Sequence, residues 1–264
     1  MGENFAATQV EIATLRDLLR FGREELAPHF RVDGDPDHRA LVVAFFARAT
    51  TTLEALALLL DDGYGQQAMM LNRAAFELIV DTWWIIGHED EAERRFVEHA
   101  RYSQHLKREL AGRYSEWFEM PPTDPTGLDA AELKKLSSDY RHGTKHWTTL
   151  STYERVEQVA AGLDRAEDRE QLRSFRNIVH KLQNEELHPT SWSIGRALKR
   201  RSDPERGEVL QYRTGPEPEL GQVALRSAWW MYLQLVVVVG ELFEAPIEAG
   251  LDALVAEAPW ADER

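Results

Sequence analysis

The chain has 264 residues, 43% of them hydrophobic and 29% charged, a balance that excludes a disordered or collagen-like protein. Lys and Arg total 31 against 45 Asp and Glu, a formal charge of −14, so a uniformly basic surface for duplex DNA is excluded and only a local basic patch could meet nucleic acid. Cys is absent, which removes disulfide frameworks, zinc ribbons, thiol nucleophiles and iron–sulfur sites and suits a reducing compartment. A chain of this length buries a sizeable core without staples, and one domain over residues 1–264 is expected. The opening stretch MGENFAATQVEIATL shows no basic start followed by an apolar run, so a cytoplasmic location is expected.

Apolar residues recur at helical spacing over long windows and alternating stretches are few, which predicts an all-α, multi-helix bundle. A first helix is expected from about Ala7 to Leu26, ending near Pro28, and a second from about Asp37 to Leu60. Asp61, Asp62, Gly63 and Gly65 then make a turn. A third helix, about Gln66 to Ile86, is apolar nearly all round, which places it centrally. A fourth, Asp90 to about Phe118, is strongly charged and belongs outside, its apolar stripe turned inward. Pro-rich residues 119–128 form a loop. Short helices follow at about Ala130–Leu136 and Thr152–Ala161, and a longer one runs from Ala166 to about Leu187, stopped by Pro189. Another short helix is expected over Ile194–Arg201. Residues 202–219 read as irregular, with at most one minor hairpin or strand near 207–214. A helix from about Leu220 to Phe243 closes the bundle, followed by one near Ile247–Glu257. Ala40–Ile86 and Leu220–Phe243 are the expected core. The most apolar run, Ala228 to Val239, falls short of the roughly 18–20 residues a bilayer crossing requires; it reads as a buried helix, with no membrane partner.

The segment RSFRNIVHKLQNEELHPTS, residues 173–191, places Arg176, His180, Asn184 and His188 four apart, one continuous polar stripe on a helix. Arg offers phosphate a planar fork of donors, His exchanges a proton near neutral pH, and Asn orients a neighbour. That inventory serves phosphodiester cleavage without metal. The other reading is a solvated helix face, with His188 at the negative helix end. In the third helix Arg73, Glu77 and Asp81 fall at i, i+4 and i+8 among apolar residues, either as an ion pair that fixes packing or with an acid that orients His180 or His188. YRHGTKHWTTLS, residues 140–151, brings Arg141, His142, Lys145, His146 and Trp147 near predicted turns. There Trp147 either stacks a base while the cations meet phosphate or plugs the core. Arg196, Lys199, Arg200, Arg201 and Arg206 follow as a basic cluster.

A di-iron bundle needs two Glu-x-x-His pairs, and Glu185/His188 is the one pair present, so no metal and no cofactor are expected. Gly-rich phosphate loops, G-x-S-x-G elbows and H-E-x-x-H helices are absent.

Three blocks, NRAAFELIVDTWWI (72–85), KHWTTLSTYERVEQVA (145–160) and VHKLQNEELHPTS (179–191), resemble a broad group of bacterial helical proteins of unknown function related to the HEPN superfamily. The resemblance implies a HEPN-like bundle, a homodimer, and a metal-independent ribonuclease acting on RNA in stress or phage defence, with an Arg, four to six intervening residues, and a His. Arg173 and His180 are separated by six residues, whereas Arg176, followed by Asn177, is separated from His180 by three. Two functions therefore stand side by side. In one, His180 or His188 transfers protons and Arg173 or Arg176 stabilises phosphorane charge, with Asn184 beside them. In the other, the same stripe, with Arg73, Glu77, Lys145, His146, Trp147, Lys199 and Arg200, binds RNA, a nucleotide, a small anion or a partner protein and breaks no bond.

Overall fold

The computed structural model describes residues 6–31, 38–113, 127–140, 146–187, 198–203, 207–212, 215–218 and 220–261, with backbone alone over 180–187, 198–203 and 209–212. Nine α-helices lie among the described residues: α1 Gln9–Phe21, α2 His38–Asp61, α3 Gly65–Gly87, α4 Glu89–Arg113, α5 Ala130–Tyr140, α6 Thr152–Gly162, α7 Ala166–Leu187, α8 Gly221–Leu242 and α9 Glu248–Glu257. The architecture is all-α. One antiparallel hairpin stands beside the helices, β1 Leu198–Asp203 with β2 Gly207–Tyr212.

Local chemistry sets the helix starts. Thr8 caps α1, its hydroxyl accepting from the Glu11 amide at 3.2 Å while the Glu11 carboxylate accepts from the Thr8 amide at 2.9 Å. Asp129 with Glu132 starts α5, and Ser151 with Glu154 starts α6, by the same exchange. Glu11 also accepts from Gln222 and Arg226 of α8 at 3.0 and 3.3 Å, so the cap that begins α1 also fastens it to α8.

Helix α3 is the central element. It packs against α2, α4, α6, α7 and α8, and Met69, Phe76, Ile79, Val80, Trp84 and Ile85 are all buried. The core is continuous from Leu15 and Leu18 of α1 through Leu53 of α2, Phe76 of α3 and Val156 of α6 to Trp229 and Val236 of α8. A satellite cluster of Tyr102, Leu136 and Tyr140 joins α4 to α5. Helix α4 buries few residues, Ala92 and Tyr102 among them, as its charge predicts.

Three expectations change. Residues 198–201, read as the end of a short helix, form β1, because their partners Leu198↔Tyr212 through Arg201↔Val209 come from a distant segment that local periodicity does not reveal. Positions 202–203, read as irregular, complete β1, while the minor hairpin or strand expected near 207–214 is present as β2 Gly207–Tyr212. The first helix does not run as regular α-helix to Leu26: Gly22–Leu26 is one π-helical turn and Ala27–His29 a 3₁₀ turn containing Pro28. The apolar run at 228–239 lies within the longer α8, and both α2 and α8 are long and apolar enough to cross a membrane by length and composition, with 39% and 67% of their most apolar windows buried. Residues 114–126, part of the expected fourth helix and the loop after it, lie outside the described residues, as do residues 194–197 of the expected short helix.

Gly22 shows how tightly α8 is seated. A Cβ there would meet the Tyr232 hydroxyl well inside contact distance and approach the Phe46 ring at 3.2 Å. Tyr232 is fully buried and its hydroxyl is 2.8 Å from Thr50 Oγ1, so it cannot yield. Ala for Gly within a helix ordinarily stabilises by about 0.5–1 kcal/mol, but overpacking costs about 1–3 kcal/mol and should win. Urea unfolding of Gly22→Ala should show that loss, and the loss should shrink in a Tyr232→Phe background, where the clashing oxygen is gone.

Candidate functional site

Helix α7 turns Leu172 and Val179 into the core. Its flank toward α6 carries Arg173 and Arg176, and both meet one carboxylate. Arg173 donates to Glu157 through Nε at 3.1 Å and a terminal nitrogen at 2.8 Å, and Arg176 donates to the other Glu157 oxygen at 2.8 Å. Arg176 also sits 4.4 Å over the Tyr153 ring and donates to Asn177 at 3.3 Å. Its side chain is 14% exposed against 37% for Arg173. The Glu157 carboxyl is held below its usual range, first by the Arg173 hydrogen bonds; partial desolvation pulls the other way and Arg176 adds to the lowering. Glu170 lies near enough to act on Arg173 through space.

The α7 backbone continues to Leu187, so position 180 lies one turn beyond Arg176 and two beyond Arg173, with position 184 a turn further on the same helix face. His180 and Asn184 are described by backbone alone, and His188 lies outside the described residues. Lys199 and Arg200 sit on β1 at the register positions opposite Gln211 and Leu210; Arg141, His142, Lys145, Arg196 and Arg206 lie outside the described residues.

A second constellation is buried. Asp81 of α3 is 3% exposed and Arg155 of α6 is 1% exposed. Arg155 donates to Asp81 and, at 3.0 Å, to Thr152 Oγ1, and lies 3.7 Å from Glu77. The other Asp81 oxygen accepts from the Trp147 indole and faces His146 Nε2, each at 3.0 Å. The Thr148 amide donates to His146 Nδ1 at 3.3 Å. That amide can only donate, so Nδ1 is the acceptor and Nε2 carries the proton bonded to Asp81. Both imidazole nitrogens are engaged within the protein, and His146 acts here as a strut. Trp147 is 6% exposed, its ring within 5.6–5.8 Å of the rings of Phe45, Trp84 and Phe96. Of its two readings the structure has the packed one. Arg73 and Glu77 approach at 3.4 Å, half-buried on α3, and Asp81 faces His146 and Arg155.

Sequence reasoning did not single out Arg155, Glu157 or Tyr153. The signal for Arg155 was present: Asp81 is a second acid in an apolar helix, and α6 offers a cation beside Val156 and Val159. Glu157 had no such signal, because its role depends on how α6 and α7 cross.

Beside this knot, Arg94, Arg95, Glu98, Ser138, Asp139, Tyr140 and Thr149 line a polar cleft of about 540 Å³ between α4, α5 and the loop before α6. Arg95 donates to Thr149 Oγ1 at 2.8 Å, and Thr149 holds φ at +62°, a conformation a β-branched residue adopts at a cost of roughly 1–3 kcal/mol. Among the described residues no three His, Asp or Glu side chains group as metal ligands.

Residues 39–206 match DUF5677, a family of unknown function. The chain belongs to that family. The matched region runs from α2 through β1 and contains the arginine pair on α7 and the Asp81 knot, while α1, α8 and α9 lie outside it. No curated protein and no solved structure matches the chain.

Two outcomes follow from the buried groups. Asp81→Asn removes the nearer carboxylate from the buried Arg155, leaving Glu77 at 3.7 Å as its charged partner, and should cost about 3–5 kcal/mol in denaturant unfolding; adding Arg155→Met should recover part of that loss, since the poorly compensated charge is then removed. His99 packs on the Tyr140 ring at 5.1 Å, and burial first, then His146, lowers its pKa from the ordinary 6.5. The unfolded chain therefore takes up a proton at higher pH than the folded one, so stability should fall as pH drops from 7 toward 5. The pH dependence of urea midpoints should flatten in that window in His99→Gln.

Proposed function

We propose that the protein is a HEPN-like, metal-independent ribonuclease that works through α7. The observation that carries this reading is the convergence of Arg173 and Arg176 on a single carboxylate, one and two turns ahead of position 180 on the same helix. A carboxylate and a phosphate present similar oxygen pairs to a guanidinium fork, so the point held by Glu157 suits a phosphodiester oxygen. Arg173, the more exposed of the two and separated from His180 by six residues, is the phosphate ligand, and Arg176, fixed on Tyr153, positions it. His180 removes the proton of the ribose 2′-hydroxyl as the oxygen attacks phosphorus; the 2′-oxygen–phosphorus bond forms, the bond to the 5′-oxygen breaks, and that oxygen takes up a proton as it leaves. The products are a 2′,3′-cyclic phosphate and a 5′-hydroxyl. His188 is the second candidate for proton transfer, with Asn184 between the two histidines.

One observation favours a second reading, binding without cleavage. The polar cleft beside Thr149 presents Arg94 and Arg95 of α4 across from Ser138 and Tyr140 of α5, a setting for a small anionic ligand or nucleotide.

The test is cleavage of a mixed RNA pool in chelator. The wild type should yield cyclic phosphate ends, and His180→Ala or Arg173→Ala should lower the rate by about 10²- to 10⁴-fold with thermal unfolding nearly unchanged. RNA left intact with and without magnesium removes the nuclease reading, and nucleotide titration sensitive to Arg94→Ala then supports binding in the cleft.

A further inference from the structure

One flank of helix α4 carries an acid and an arginine one turn to either side of an exposed apolar residue. Val97 is 52% exposed. With Leu41 of α2 and Phe96 and Ala100 of α4 it lines an apolar groove of about 240 Å³, edged by Glu93 at one end and by Arg101 and Gln104 at the other. Glu93 is exposed and has no polar partner among the described residues. Arg101 touches Glu132 of α5 at 3.4 Å with its side chain still 39% exposed. Glu93 and Arg101 are each four residues from Val97, so acid, valine and arginine follow one another a turn apart along one flank of the helix.

We propose that this face of α4 is the interface with a second copy of the chain, joined about a two-fold axis that passes at Val97. Such an axis sets the two α4 helices antiparallel. Val97 then meets Val97 of the second copy, Glu93 of each copy meets Arg101 of the other, and Asp90 lies across from Gln104. A parallel pairing would instead set Glu93 against Glu93. A closed two-fold contact requires one patch to complement itself, and this stripe does so in the antiparallel sense. An unrelated partner would impose no such symmetry on the order of charges. Between two chains of formal charge −14, the pattern places Glu93 of each copy against a cation and Asp90 against a neutral amide. The interface does not use α7, and so stands apart from the ribonuclease reading.

The absence of Cys makes a single introduced thiol unambiguous. Full-length Val97→Cys should form a disulfide-linked dimer on mild oxidation. Leu110→Cys, on the same helix and 59% exposed, should not, because the two copies of that position would lie roughly 39 Å apart along antiparallel helices rising 1.5 Å per residue. By sedimentation equilibrium the wild type should be dimeric at micromolar concentration. Glu93→Arg alone and Arg101→Glu alone should each weaken association at least tenfold, with Glu93→Gln as a milder variant if either unfolds. The combined Glu93→Arg, Arg101→Glu chain should return to within threefold of wild type, because the exchanged charges face each other again. A monomer at 100 µM, a dimer insensitive to these changes, or a Val97→Cys chain that does not cross-link would overturn the proposal.

Discussion

The rest of the arrangement hangs on the carboxylate of Asp81. It lies buried on the central helix α3 and receives Arg155, Trp147 and His146, three groups from the loop and first turns of α6. A buried charge of this kind is tolerated because each oxygen is met by a donor; removal of one partner strands the other in a low dielectric. The contact fixes where α6 lies on α3, and Trp84 Nε1 donating to Gln158 at 2.7 Å adds a second tie a turn further along.

Helix α6 passes that placement on to α7. Arg155 and Glu157 are two residues apart, about 200° around the helix, so one addresses the core helix and the other the neighbouring helix. Through Glu157 the orientation imposed at Asp81 reaches Arg173 and Arg176, and through α7 it reaches positions 180 and 184. The two links differ in strength. The Asp81–Arg155 contact is dry, whereas the Glu157 contacts are part-exposed and of the kind that contributes about 0–1 kcal/mol each. Such lightly held contacts can rearrange at small energetic cost while the buried pair beneath stays intact.

The bundle also separates its surfaces by chemistry. The α7 flank is polar and cationic in its donors, the cleft between α4 and α5 mixes both signs, and the outer face of α4 combines an apolar groove with ordered opposite charges. Helices α4 and α7, which carry these surfaces, both pack on α3, and α5 joins through the satellite cluster on α4, so outward residues can vary without disturbing the packing of Phe76, Trp84 and Trp229.

Much of the fold was legible from residues alone, because helices bury one face at a period of 3.6 and that period is written locally. The central place of α3 followed from its being apolar all round, and the outer place of α4 from its charge. The same local rule misread Leu198–Arg201, since pairing with Val209–Tyr212 is a relation between distant segments. For the candidate site, the residue types were visible and their partners were not. Arg173 and Arg176 stood out as phosphate ligands, but only the crossing of α6 and α7 brought Glu157 to both. Trp147 looked equally fit to stack a base or to plug the core, and its burial beside Asp81 shows it packed, with His146 facing the same carboxylate. The sequence by itself determined the helices, their exposed and buried faces and the inventory of chemical groups, because each is set by neighbours within a turn or two. Tertiary structure alone decided which acid meets which base, because those distances depend on where whole helices come to rest.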